Sequence, residues 1–268
     1  MLRWFCGDLH MHTVLSPCAE LSMGPVDLVA TAVARGLDFI AITDHNSAEN
    51  VGAYQLAAAD TPLQVLAGIE VSTREEIHMI ALFPELVQAL DFQGFLYGQL
   101  QEGQNDPTLW GPQLLVDAHE NILGENPRLL GLPVRSSYDR IMQEVIGRGG
   151  LIYPAHIDRR ANSMVHTLGF LPADLPFKVV ELSSRTDPKQ AMERYSSSGL
   201  QLITASDAHD VAQIGSARCW FCLEEFSFAE LMLACTNARG RSISLLAPEV
   251  SSRTAMAGTS AGGQRETG

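Results

Sequence analysis

Asp8-Leu9-His10-Met11-His12 closes an apolar run that begins at Arg3, and its reading decides the fold. Such a run reads as a buried strand. The two imidazoles at its end are two residues apart, so they point to the same side. Three more apolar runs finish the same way, in Thr43-Asp44-His45, Pro154-Ala155-His156 and Ser206-Asp207-Ala208-His209. Another closes on a carboxylate, Gly68-Ile69-Glu70, and His78 follows inside the next run. Six of the chain's eight histidines lie in these segments, a clustering that random placement does not explain. The arrangement implied is one pocket, ringed by strand ends, that binds several metal ions.

Working outward, the apolar runs predict strands over Arg3–His10, Leu37–Asp44, Leu63–Ser72, Ile77–Phe83, Gly150–His156, Phe177–Ser183, Leu200–Ser206 and Arg218–Leu223. Most are continuously apolar, the pattern of a parallel sheet covered on both faces. Helical stretches alternate with them: Pro25–Arg35, Ser47–Asp60, Tyr138–Arg148, Pro188–Ser197 and Ser227–Arg239. Pro25 suits a first helical turn and Gly36 a helix end. Alternating β and α units with ligands at the strand ends favour an α/β barrel, whose sites lie at the C-terminal rim. His78 is the exception, near the start of its run. Residues 84–135 have weak periodicity and read as a partly helical insertion that covers the pocket as a lid. Residues 247–268, rich in Ser, Thr, Gly and Ala, read as a disordered tail after a domain spanning 1–246.

A length of 268 residues suits one large domain. No apolar run approaches a membrane span and no leader precedes the first strand, so the expected compartment is the cytoplasm. The five cysteines are loosely spaced and suggest no disulfide framework. Cys219-Trp-Phe-Cys222 lies on a strand, where residues three apart face opposite sides, so a redox pair is not expected. The net charge of −13 argues against binding of long nucleic acid but leaves room for a small phosphorylated substrate, because bound divalent ions would make the pocket locally positive.

Taken together, the motifs are similar to those of the PHP (polymerase and histidinol phosphatase) family of metal-dependent phosphoesterases. The resemblance is carried, in family order, by Asp8-Leu-His-Met-His-Thr13, Ile42-Thr-Asp-His45, Gly68-Ile-Glu-Val-Ser72, His78, Pro154-Ala-His156 and Ser206-Asp-Ala-His209. It implies a distorted seven-stranded TIM-like (β/α) barrel with two or three divalent ions (Zn, Mn or Fe). His10, His12, Glu70 and Asp207 would hold one ion. Glu70 would bridge to a second, completed by His78 and His156, and His45 and His209 would serve a third. The chain departs from the family at Pro17, where a common subgroup has Asp, and at Cys18, where other relatives place His. A thiolate is a competent zinc or iron ligand, so Cys18 is a candidate for the third site.

The implied activity is hydrolysis of small phosphate esters, nucleotide-type or other phosphomonoesters, by a hydroxide shared between ions. Asp44 and His209 are the candidates for proton handling. Arg159 and Arg185, near the expected rim, are candidates for gripping phosphate. The alternatives are a non-catalytic metal-binding or regulatory module and a phosphatase of the histidinol-phosphate type. Amidohydrolase chemistry is disfavoured because Lys178 and Lys189 sit in no strand-end motif. His119 and His166 lack such context and read as loop residues. Trp110, in the insertion, either stacks on a base or packs its own loop, and packing is favoured.

Overall fold

The computed structural model describes residues 1–248 apart from Asp174. Most of the expected tail, residues 249–268, lies outside the described residues. The strands are β1 (Arg3–Met11), β2 (Phe39–Ile42), β3 (Gln64–Ser72), β4 (His78–Phe83), β5 (Leu114–Val116), β6 (Ile122–Glu125), β7 (Leu151–Pro154), β8 (Val179–Leu182), β9 (Gln201–Thr204), β10 (Cys219–Leu223) and β11 (Ser242–Ser244). The helices are α1 (Pro25–Ala34), α2 (Val51–Ala57), α3 (Leu86–Tyr97), α4 (Pro107–Trp110), α5 (Tyr138–Gly147), α6 (Met164–Leu168), α7 (Pro188–Tyr195) and α8 (Phe228–Cys235).

A curled seven-stranded sheet, in the order β11-β10-β1-β2-β3-β4-β7, makes most of a distorted TIM-like barrel. A separate parallel pair, β8 and β9, completes the wall. Single backbone contacts join the two pieces: Ile157 N donates to Glu181 O at 2.9 Å and His12 N to Ala208 O at 3.0 Å. The interior is filled by side chains with no accessible surface, among them Phe39, Ile80, Phe83 and Phe221. The Phe39 ring packs against Phe226 and Phe221, with centroids 4.4 and 5.0 Å apart.

The sheet is not all parallel, as the apolar runs had suggested. β4 runs antiparallel to both β3 and β7, and β10 antiparallel to β1. The link from Ser72 to His78 is a short turn, far below the dozen or more residues of a parallel crossover. The reversal explains the one misplaced histidine. Because β4 starts where β3 ends, its first residue, His78, lies on the same rim as Glu70. On β10, Cys219 is buried and Cys222 faces the other side, and both are free thiols.

The segment 84–135 holds α3, α4 and a β5–β6 hairpin that the sequence did not announce. It is pinned rather than free. Glu120 accepts from Val26 N at 2.9 Å, capping α1 from outside, and Asn46 Nδ2 donates to Leu130 O at 2.8 Å. Asn50 Nδ2 donates to Leu114 O at 2.9 Å. Among the described residues, no helix is long and apolar enough to cross a membrane.

Candidate metal centre

Nine side chains, from five strand ends, the loop at Cys18 and the start of β4, meet at the rim, and Glu70 is their hub. Its carboxylate has 1% exposure and lies 3.3 Å from His10 Nε2, 3.2 Å from His12 Nε2, 3.1 Å from His45 Nδ1, 2.7 Å from His78 Nδ1 and 3.4 Å from His156 Nε2. Three overlapping groups have donor atoms within 4.8 Å of one another: His10, His12, Glu70 and Asp207; His45, Glu70 and His78; and His12, Cys18, His45 and His209. His12 and His45 each belong to two groups, so the partition differs in detail from the one the family resemblance implies. Cys18 lies on the exposed side and His10, His12 and Glu70 on the floor.

Local backbone geometry aims these ligands. His156 (φ 28°) and Asp207 (φ 52°) follow strand ends in the left-handed region, which non-glycine residues seldom occupy. Each turns its side chain back over the rim. Such conformations persist only where the surroundings enforce them. For Asp207 the restraint comes from Asp8, which accepts from Ser206 N at 3.0 Å and Gly215 N at 2.9 Å and so ties the loop bearing Asp207 and His209 to β1.

Hydrogen bonds on the outer side of the rings fix which nitrogen faces inward. His209 Nδ1 donates to Asp207 O at 2.8 Å, which leaves Nε2 as the lone-pair nitrogen. His10 Nδ1 donates to Glu181 at 3.0 Å. Glu181, fully buried at the end of β8, also accepts from His156 N at 3.2 Å. Sequence reasoning missed it; its one signal was a carboxylate inside the apolar Val179–Leu182 run, which burial tolerates only with a partner. Ser16 Oγ gives its proton to Asp44 at 2.6 Å and accepts from His12 Nδ1 at 2.9 Å.

Asp44 therefore works differently from the expected proton carrier. Its oxygens are taken by Thr13 N at 2.7 Å, Thr13 Oγ1 at 2.6 Å and Ser16 Oγ, so it orients the first-motif loop and, through Ser16, His12. Arg159 reaches the centre, but Nη1 donates to Asp207 Oδ2 at 2.6 Å rather than standing free for phosphate. Arg159, Arg160 and Arg185 line one side of a cleft of about 720 Å³ that opens onto Asp207 and His209. Asp158 shapes the wall by accepting from Ser183 N and Oγ, both at 2.7 Å. His119 and His166 are exposed and belong to none of the donor groups.

The donor set fits divalent ions. His10 Nε2 and His12 Nε2, both lone-pair nitrogens by the bonding above, face each other at 3.3 Å. His45 Nδ1, His156 Nδ1 and Asp207 Oδ1 are buried with no hydrogen-bond partner among the described residues. Lone pairs converging in a dry site repel unless a cation or protons lie between them. Imidazole, carboxylate and one thiol together suit zinc, iron or manganese.

In the metal-free chain protons take that place. Burial pushes the His12 and His45 imidazoles down. The Glu70 carboxylate, joined at His12 by Asp207, outweighs it and lifts both to about 9. Burial likewise opposes charge on Glu70, yet His78, His10 and His45 hold its carboxyl well below the usual range.

Residues 8–139 match the PHP domain family. The chain carries a PHP domain. A curated relative, a 5′-3′ exoribonuclease from Haemophilus influenzae, is 31% identical over 78 residues, which are 28% of this chain and 27% of that protein. Among solved structures, a lesion-specific endonuclease from Pyrococcus furiosus superposes with TM-score 0.61 at 17% identity, over 90% of this chain and 58% of its own. Endonuclease Q has also been seen with a 27-mer duplex bearing an abasic lesion at the active site. A two-domain Bacteroides vulgatus protein containing a predicted PHP-like metal-dependent phosphoesterase gives TM-score 0.57 at 16% identity, over 90% of this chain and 65% of its own. This chain thus spans only part of each of these relatives.

These relatives overturn one expectation. A net charge of −13 does not exclude long nucleic acid for a PHP domain, because proteins similar to this one act on duplex DNA and on RNA. The expectation of a small phosphorylated substrate falls with it.

The histidines carry a testable pH dependence. With pKa values near 9, His12 and His45 are protonated at pH 7 in the metal-free chain and must lose those protons to bind an ion. Metal affinity should therefore rise with pH up to about 9 and level above it. Calorimetry at pH 7 in buffers of different ionisation enthalpy should detect net proton release, and zero release would contradict the assignment.

Proposed function

We propose that this PHP domain is a metal-dependent phosphoesterase that hydrolyses phosphodiester bonds at the end of a nucleic-acid strand. The observation that carries the reading is the depth of the cluster. His10, His12 and Glu70 have at most 1% exposure, and the cluster meets solvent through Asp207 and His209, which line a cleft that also bears three arginines. The body of a duplex is too wide to reach such a floor, whereas a terminal or extruded nucleotide can enter. The activities of the similar exoribonuclease and endonuclease support nucleic acid as the substrate class.

Divalent ions held by the cluster supply Lewis-acid chemistry, activating water near neutral pH and neutralising phosphoryl charge. The residues of the chain do the rest. His10, His12, Glu70 and Asp207 would hold an inner ion, and His78 and His156 also approach Glu70. His45, Cys18 and His209 build the outer site, nearer to the incoming strand. Glu181, Ser16 and Asp44 are positioning residues that hold imidazole tautomers. Arg160 and Arg185 bind strand phosphates, and Arg159 orients Asp207. His209, on the cleft wall, presents Nε2 to the outer site because its Nδ1 proton is held by Asp207 O.

Incubation of the metal-loaded chain with end-labelled linear RNA and DNA, and with circular single strands, tests this reading. Mononucleotides should leave the linear strands one at a time while the circles persist. Cleavage of circles at the linear rate, or no cleavage with Mn, Zn or Fe supplied, would sink it. Cys18 has its own test. The Co(II)-substituted wild-type protein should show a near-ultraviolet thiolate-to-cobalt charge-transfer band that Cys18→Ser lacks. Identical spectra would remove Cys18 from the ligand set.

A further inference from the structure

We propose that Trp110 is the stacking platform for the terminal base of the substrate strand, an inference that rests on the nucleic-acid reading above. Trp110 closes the one-turn helix α4 with 54% of its surface exposed, beside Leu109 at 76%. Among the described residues, its ring meets no aromatic or cationic partner. Packing on its own loop, the role favoured by the sequence, leaves more than half of the residue exposed.

The segment that carries the indole is nonetheless firmly held. Asp106 accepts from Thr108 N at 2.9 Å and from Thr108 Oγ1 at 2.7 Å, capping the turn. Asn105 Nδ2 donates to Gly111 O at 2.9 Å, closing the loop behind Trp110. Leu114 N donates to Val14 O at 2.9 Å, which joins the segment to the first-motif loop. Gly111 has φ 97°, and a Cβ there would collide with the Pro17 carbonyl. The backbone next to Trp110 thus lies against the residue preceding Cys18, a member of the outer donor group. A large apolar ring stands exposed on a fixed frame whose backbone adjoins the loop of the outer donor group.

Singly exposed apolar side chains are ordinary; what sets Trp110 apart is the fixed frame that joins it to the outer donor group. Every base offers a π face, and stacking on an aromatic side chain is a sequence-tolerant way to hold a single strand. A strand end with its scissile phosphate at the ions and its backbone along the arginine wall would bring its base to this lip. Phosphate contacts would set position and Trp110 would hold the base.

The chain has three tryptophans, Trp4, Trp110 and Trp220, so the difference between wild type and Trp110→Phe isolates the emission of Trp110. In the full metal-loaded chain, a 5′-phosphorylated oligonucleotide should quench that emission. Removing the base of the terminal nucleotide should raise KM for the wild type by about fivefold or more. In Trp110→Ala the ratio of the two KM values should fall to about one, while metal content stays at the wild-type level. An unchanged ratio in Trp110→Ala, or equal KM for both strands in the wild type, overturns the platform and leaves the nucleic-acid reading standing. A wild type that cleaves neither strand removes that reading, and the platform with it.

Discussion

A carboxylate sealed in the interior must be neutralised where it sits, and Glu70 is that carboxylate. At 1% exposure it cannot turn to solvent, and imidazoles from β1, β4 and the ends of β2 and β7 all approach it within 3.4 Å. This convergence governs the fold around it. The sheet curls so that strand ends far apart in sequence share one point. β4 reverses direction, which delivers His78 from the start of a strand rather than from its end. His156 and Asp207 adopt left-handed backbone geometry so that their side chains face the same centre.

Around this hub stands a second ring of buried acids. Asp8 ties β1 to the loop of Asp207, Asp44 holds the Thr13–Ser16 turn, and Glu181 orients His10. Each spends its acceptor capacity on N–H or O–H groups from another motif, so the motifs form one unit. These acids also explain why net charge misleads. Part of the −13 lies inside the centre, where ions would offset it, whereas the cleft wall carries Arg159, Arg160 and Arg185. A sum over all residues says little about the surface that a strand meets.

Much of this was legible in the sequence. The strands are mostly short apolar runs, and each candidate ligand lies in or beside a strand-end motif, so the side of the barrel on which these residues meet could be read directly. The antiparallel β4 had a visible trace in His78, the one histidine at the wrong end of its run. Other features depend on pairings across the chain that no local pattern records. Asp44 sits in a ligand-like motif, yet Thr13 and Ser16 claim its oxygens from 28 to 31 positions away. Glu181 has no motif at all. The β5–β6 hairpin rests on strands of three and four residues, too short to register as periodicity. Trp110 reads more readily as a packed ring than a presented one, because exposure leaves no trace in the local pattern.

The central claim is that two of the three donor groups share Glu70 rather than standing as separate sites. Elemental analysis of protein purified without chelator, comparing wild type with Glu70→Gln while far-ultraviolet circular dichroism monitors the fold, tests it most directly. The shared-carboxylate account predicts that this nearly isosteric change removes more than one ion per chain. A folded Glu70→Gln protein that keeps all of its ions, or loses only one, would contradict it.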